Sequence, residues 1–282
     1  MTGVPFIKMH GLGNDFVVLD GRERRIPLSS ERVRAIADRH TGVGCDQLIL
    51  LERADTGLAD VAMRIFNADG GEVEACGNAS RCIASLLLGE LGRDHMIIET
   101  KAGLLDAEEG PGGIVRVDMG RVKLDWRDIP IKDATDTLHL GLTLGPLSDP
   151  VAVNVGNPHA VFFVPDAEKI DLAALGPLLE RHAMFPERAN IEVAQVLSAD
   201  RIRARVWERG TGITLACGTG ACAVLVAAHR RALTGRKADI VLDGGVLTAE
   251  WLKDDHVLLS GPAEVSFTGM LSETLLPQGP RT

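Results

Sequence analysis

Ala75-Cys76-Gly77-Asn78-Ala79-Ser80-Arg81 and, 141 residues further on, Ala216-Cys217-Gly218-Thr219-Gly220-Ala221 are two versions of one local device. In each, a strand leads through a glycine-containing turn to Cys-Gly, where an apolar helix begins. Gly77 to Leu91 has apolar residues at the helical spacing Ile83, Ala84, Leu87 and Leu88. Gly218 to Leu233 is apolar almost throughout and is read as a helix stopped by Gly235. The offset of 141 is half of the 282-residue chain, and it also lays Arg64-Ile65-Phe66-Asn67 on Arg205-Val206-Trp207-Glu208. An offset of 143 lays Gly13-Asn14 on Gly156-Asn157 and Gln47-Leu48 on Asn190-Ile191. Landmarks recurring in one order predict a duplication: two similar α+β lobes facing each other across a cleft.

The elements between the landmarks follow from period and punctuation. Pro5 to Met9 and Phe16 to Asp20 read as a strand pair around a turn, and Glu31 to His40 as a helix with Ser30 as N-cap. Leu48 to Glu52, Val61 to Asn67, Met96 to Thr100, Leu104 to Ala107 and Ile114 to Met119 read as strands, with Asp69-Gly70-Gly71 as a turn. In the second half, Val151 to Val155 and Ala160 to Val164 flank the turn Gly156-Asn157-Pro158-His159. Asp171 to His182 is helical, Ile191 to Leu197 and Arg201 to Trp207 are strands, and Pro277 to Thr282 is a loose tail.

Composition excludes several classes of function. Thirty basic against 39 acidic residues give a net charge of −9, with no basic block of the kind that reads nucleic acid. Aromatics are 4% and tyrosine is absent, so platforms for stacking single strands are not expected. The first 20 residues lack the apolar core of a secretory signal, and no run of about 18 apolar residues could span a bilayer. Five cysteines without framework spacing point to reduced thiols and a cytoplasmic protein.

A helix N-terminus offers unpaired N–H groups and about half a positive charge, which stabilises a thiolate or holds an anion. Inverting a carbon needs a base on one face and an acid on the other, and two pseudo-symmetric cysteines supply that pair. Cys76 and Cys217 are therefore the candidate catalytic residues, and their unlike protonation states titrate together. Cys45, Cys82 and Cys222 read as small buried hydrophobes. The cysteine spacings fit neither a zinc site nor a Cys-x-x-Cys redox motif, and no metal is expected. Asn14, Gln47, Asn67, Asn157 and Asn190 sit in loops or at strand ends, where amides suit a zwitterionic substrate. Arg209 is placed to grip a second carboxylate and Glu208 to accept from an ammonium.

With these residues in view, the chain resembles the diaminopimelate epimerase family. The resemblance is carried by Lys8-Met9-His10-Gly11-Leu12-Gly13-Asn14-Asp15-Phe16, Gly42-Val43-Gly44-Cys45-Asp46-Gln47, Arg64-Ile65-Phe66-Asn67-Ala68-Asp69-Gly70 and Cys76-Gly77-Asn78-Ala79-Ser80-Arg81. Gly156-Asn157-Pro158-His159, Phe185-Pro186-Glu187-Arg188-Ala189-Asn190, Glu208-Arg209-Gly210 and Ala216-Cys217-Gly218-Thr219-Gly220-Ala221-Cys222 continue it. The resemblance implies epimerisation of L,L-diaminopimelate to the meso form without a cofactor, in lysine and peptidoglycan precursor synthesis. It implies substrate contacts from Asn14, Gln47, Asn67, Gly77, Asn78, Asn157, Asn190, Glu208, Arg209, Gly218 and Thr219, with His159 and Glu208 tuning the cysteines. It implies two barrel-like, mostly antiparallel sheets, each wrapped around a central helix: residues 1–120 with Cys76, joined by a final strand near 263–276, and residues 121–262 with Cys217. A homodimer is also implied, with no nucleic-acid or membrane partner. Gly71 stands where the family commonly has Ser, Ala79-Ser80 where it has Gly-Ala, Ile213 where it has Glu, and Phe267 where some members place a Tyr near a dimer contact. A related two-cysteine racemase acting on proline or hydroxyproline is the alternative enzyme. A non-catalytic amino-acid-binding protein or redox sensor, indifferent to Cys→Ser, is the alternative outside enzymes.

Overall fold

The computed structural model describes residues 3–55, 57–74, 76–110, 112 and 114–275. The tail expected over Pro277 to Thr282 lies outside them. The chain divides into two compact units, Met1–Val117 with Pro262–Thr282, and Asp118–Gly261.

In the first unit the elements run β1 (Val4–Gly11), β2 (Asn14–Asp20), α1 (Ser30–Ala37), β3 (Gln47–Glu52), β4 (Val61–Asn67), β5 (Glu72–Val73), α2 (Gly77–Leu91), β6 (His95–Thr100), β7 (Gly103–Glu109) and the start of β8 (Val115–Arg121). In the second they run β9 (Thr143–Leu144), β10 (Leu147–Ser148), β11 (Val151–Asn154), β12 (Pro158–Phe163), α3 (Leu172–Glu180), β13 (Asn190–Ser198), β14 (Arg201–Glu208), β15 (Gly212–Ile213), α4 (Gly218–Arg230), β16 (Lys237–Leu242), β17 (Gly245–Trp251) and β18 (His256–Gly261). The last strand, β19 (Glu264–Leu271), pairs antiparallel with β1 in the first unit.

The two units share a topology down to register. In the first, β2 and β3 pair in parallel with Phe16 opposite Gln47. In the second, β12 and β13 pair in parallel with His159 opposite Asn190, so the 143-residue offset holds in the ladder itself. β6 against β7 and β16 against β17 are matching antiparallel hairpins, closing at Thr100–Gly103 and Leu242–Gly245. Each unit is an α+β layer, antiparallel except for β2–β3 and β4–β6 in the first and β12–β13 and β14–β16 in the second.

The long helices are the cores. Every residue of α4 from Gly220 to Ala228 is buried, and α4 packs on β11 to β14 and on β16 to β18. A helix apolar on all sides must be covered on all sides, and the sheet curls around it to do so. α2 is buried from Gly77 to Ala84 and packs on β1, β6 and β7. It ends at Gly92 in the left-handed region (φ 62°), as its glycine predicts. Several helix ends differ from expectation, among them that of α3, which stops at Glu180 rather than His182. The cap of α1 is Ser29, whose hydroxyl accepts from the Arg32 N–H, and the helix stops at Ala37, short of His40. α4 stops at Arg230 rather than Leu233, because Ala232 turns left-handed and the Leu233 N–H bonds the Ala228 carbonyl.

α3 lies on β14 through a contact that demands glycine. A Cβ on Gly176 would come within 2.5–2.8 Å of the Trp207 indole, and Trp207 Nε1 is tied to Glu180 Oε2 at 2.8 Å. The ring cannot swing away without breaking that bond. Gly176→Ala is expected to cost about 1–3 kcal/mol, lowering Tm by several degrees. Thermal unfolding measures it; an unchanged Tm would mean the indole relocates freely.

Candidate active site

Cys76 is met by Asn14 of the first unit, and Cys217 by Thr219 and Gly220 of the second. Cys76 is the N-cap residue of α2, with extended backbone and no capping hydrogen bond from its side chain. Its Sγ is turned toward Asn14 Oδ1, 3.9 Å away. A chain of amides fixes that oxygen. The fully buried Arg81 donates to Asn78 Oδ1 at 2.8 Å, which turns Asn78 Nδ2 toward Asn14 Oδ1 at 3.1 Å. Asn14 Nδ2 donates in turn to Asp46 Oδ2 at 2.9 Å. Asp46 is held by Asp15, since the backbone N–H of each residue donates to the carboxylate of the other. Burial alone would raise the Asp15 carboxyl, but bonds from Arg39, Lys8 and the Asp46 N–H overcome it and hold the group well below the ordinary carboxylate range. Gln47 and Asn67 face each other across β3 and β4, with Gln47 Nε2 donating to Asn67 Oδ1 at 2.9 Å. Gln47 Oε1 is buried and has no partner among the described residues, so it is open to a ligand donor.

Cys217 is the N-cap residue of α4 and differs from Cys76. Its Sγ accepts from the Gly220 N–H at 3.3 Å, and Thr219 Oγ1 lies 3.5 Å away. A lowered thiol pKa was the expectation at such a helix start. Here the sign is reversed: burial, and then the nearby Glu208 charge, push the Cys217 thiol well above its ordinary value. Two N–H and O–H contacts do not replace the water lost by a fully enclosed thiolate. Glu208, at the end of β14, accepts from Thr214 Oγ1 at 2.5 Å and from the Cys217 thiol. Burial raises its carboxyl above the usual range. His159, 0% exposed, lies between Glu192 Oε1 on Nδ1 and Asn157 Oδ1 on Nε2, both at 2.7 Å. Asn190 is buried, donates to the Pro158 carbonyl and accepts from the Arg209 N–H. The Arg209 side chain is exposed and donates to the Glu187 carbonyl at 3.0 Å. Gly77 and Gly218 are the buried first residues of their helices. Among the described residues no cluster of His, Cys, Asp and Glu fits a metal ion, and no helix is long and apolar enough to cross a membrane.

Comparison with known proteins adds the decisive observation. The family described as diaminopimelate epimerase matches residues 6–124 and 151–266. A relative named diaminopimelate epimerase, from Rhodospirillum centenum, is 61% identical over 272 residues, covering 96% of this chain and 94% of its own length. The chain belongs to the diaminopimelate epimerase family. Among solved structures, a Bacillus anthracis phenazine biosynthesis protein of the PhzF family aligns with TM-score 0.69 at 16% identity, over 96% of this chain and 100% of that one. A probable proline racemase from Agrobacterium radiobacter aligns with TM-score 0.67 at 17% identity, over 95% of this chain and 93% of that one. These two share the fold.

Within this diaminopimelate epimerase family member, the departures from the common motif spare the hydrogen bonds around the cysteines. Gly71 accepts the Asn67 N–H through its backbone carbonyl, which any residue supplies. Ser80 bonds back to the Cys76 carbonyl at 3.0 Å. Sequence reasoning missed Glu192, Asp46, Arg81 and Thr214. Asp46 stands beside Gln47 in a glycine-rich loop, and Glu192 is an acid inside the apolar strand Ile191-Glu192-Val193, which was the available signal.

Proposed function

We propose that this chain epimerises L,L-diaminopimelate to the meso form, with Cys76 and Cys217 as the two acid/base groups. The observation that carries it is the 61% identity with a named diaminopimelate epimerase across nearly the whole chain. A base takes the α-proton from one face of the carbon and an acid returns a proton to the other. Because Cys217 is enclosed beside Glu208, it holds its proton and enters one direction of the reaction as the acid. In the other direction Glu208 takes the Cys217 proton as the thiolate forms. The helix N–H groups behind Gly77 and Gly218 receive the charge that builds on the substrate carboxylate. Asn14, Gln47, Asn67, Asn78, Asn157, Asn190 and Thr219 are assigned to substrate contacts, with Arg209 and Glu208 at the charged ends.

The test is circular dichroism of L,L-diaminopimelate with purified protein and no added cofactor, with proline alongside. Turnover of diaminopimelate alone is expected; turnover of proline alone would overturn the assignment. A cytoplasmic location belongs to the same reading, since five cysteines without framework spacing suit reduced thiols. A homodimer is the proposed assembly, supported by exposed Val265, Phe267 and Met270 on β19.

Two further outcomes follow. In the direction where Cys217 is the base, Glu208 must be ionised. Its raised pKa means that it protonates as pH falls while ordinary carboxylates stay charged, so this direction loses rate on an acid limb above the Glu reference of 4.5. Glu208→Gln should lower kcat roughly ten- to a hundredfold and remove that limb. An acid limb unchanged in the variant would assign it to another group. Arg209→Lys keeps the charge but loses the planar fork for a carboxylate. A rise in KM of about tenfold, roughly 1.4 kcal/mol, is expected with kcat less affected. An unchanged KM would remove Arg209 from the binding set.

A further inference from the structure

His159 and Glu192 occupy positions that the first unit fills with hydrophobic residues. The 143-residue register sets Phe16 against His159 and Ile49 against Glu192, and all four are 0% exposed. A buried polar pair in place of Phe and Ile stabilises less than the hydrophobic pair it displaces. Its place beside the second cysteine points to a role in the chemistry. A Cβ on Gly220 would meet Cys217 Sγ and Glu192 Oε1 at 3.2 Å each, so the carboxyl packs directly on the start of α4.

Counting protons defines the state of the pair. Asn157 Oδ1 is an acceptor only, so the 2.7 Å contact requires a hydrogen on His159 Nε2. One proton then serves the 2.7 Å contact between Nδ1 and Glu192 Oε1. Glu192 Oε2 is buried with no hydrogen-bond partner among the described residues, and an ionised carboxylate is costly there. We propose that Glu192 is a positioning residue held as the neutral acid, donating to Nδ1 of His159 and locking the imidazole as the neutral Nε2–H tautomer.

Burial moves the Glu192 carboxyl upward, in the direction this state requires. The titratable groups facing it are His159 on β12, Glu208 on β14 and Cys217 at the start of α4. With Glu192 and His159 neutral, Glu208 carries the only negative charge of these four groups, and once it has taken the Cys217 proton the thiolate faces no second carboxylate charge. The same lock engages the Asn157 carbonyl and leaves its Nδ2 as a donor for substrate.

The inference rests on reading Cys217 as an acid/base group, and the experiment separates the two. Nitrogen-15 NMR of the full chain labelled at histidine should show His159 as the neutral Nε2–H tautomer under the conditions of the assay. An imidazolium, or a neutral Nδ1–H ring, overturns the proposal. Glu192→Gln keeps a donor for Nδ1 and should keep the tautomer. Glu192→Leu removes the donor, should release the tautomer and should lower kcat on the order of tenfold or more with little change in KM. Glutamine should restore most of that rate. A glutamine variant as slow as the leucine variant would show that the charge is needed, and the proposal falls. If the leucine variant does not fold, the wild-type spectrum and the glutamine variant still decide. A wild-type protein that never exchanges a substrate α-proton would defeat the epimerase reading and leave the tautomer measurement standing.

Discussion

Cys76→Ser and Cys217→Ser are each expected to lose epimerisation by about a thousandfold or more. A serine hydroxyl is a far weaker acid than a thiol, so its alkoxide is inaccessible at neutral pH and the positioned proton transfer is lost. The fold should survive. Serine is a favoured N-cap, and at position 217 its oxygen can accept the Gly220 N–H that Sγ accepts at 3.3 Å. Initial rates with L,L-diaminopimelate, taken beside melting curves, make the comparison. Near-normal turnover in either folded variant would break the two-cysteine assignment.

The second large effect is isotopic. In heavy water, deuterium should enter the α-carbon of the product while recovered substrate stays light at low conversion. The thiolate that removes the substrate proton holds it on one face, and its return regenerates unlabelled substrate. The opposite thiol has already exchanged with solvent and delivers deuterium to the other face. The burial of Cys217 bears on this: Glu208, which shares its hydrogen bond, offers it a path for exchange. Glu208→Gln should therefore slow label entry from that side as well as turnover. One pure stereoisomer is the starting material, and mass spectrometry of both pools gives the ratio. Equal early labelling of substrate and product would exclude separate bases on the two faces, even with both cysteines essential.

Much of the fold was legible because its signals are local. The boundaries of α2 were read correctly from an apolar 3.6-residue period that starts at Cys-Gly, and the structure ends it at Gly92 in the left-handed region. The strands around Asn14 and Gln47 were readable from alternation and turns. The N-cap of α1 was not: Ser29 and Ser30 are adjacent and chemically equal, and only the Arg32 N–H geometry chooses between them. The end of α4 was misplaced because Ala232 takes the left-handed turn that glycine was expected to take at 235.

The site divides along the same line. By itself the sequence determined the two Cys-Gly helix starts, the offset relating the halves, and the amides and charges near them. The helix starts and the amides are set by neighbours within a few residues, where side-chain type and spacing govern the backbone, and the offset is read by laying those local patterns on one another. Only the tertiary structure decided that Arg81 orients Asn78 and Asn14, that Asp46 anchors Asn14, and that Glu192 lies beside His159 and Cys217. Apart from Arg81 and Asn78, which lie one turn apart on α2, those pairings join strands and a helix start tens of residues apart. The sheet register fixes them, and burial then reverses what the helix N–H groups alone would do to the Cys217 thiol.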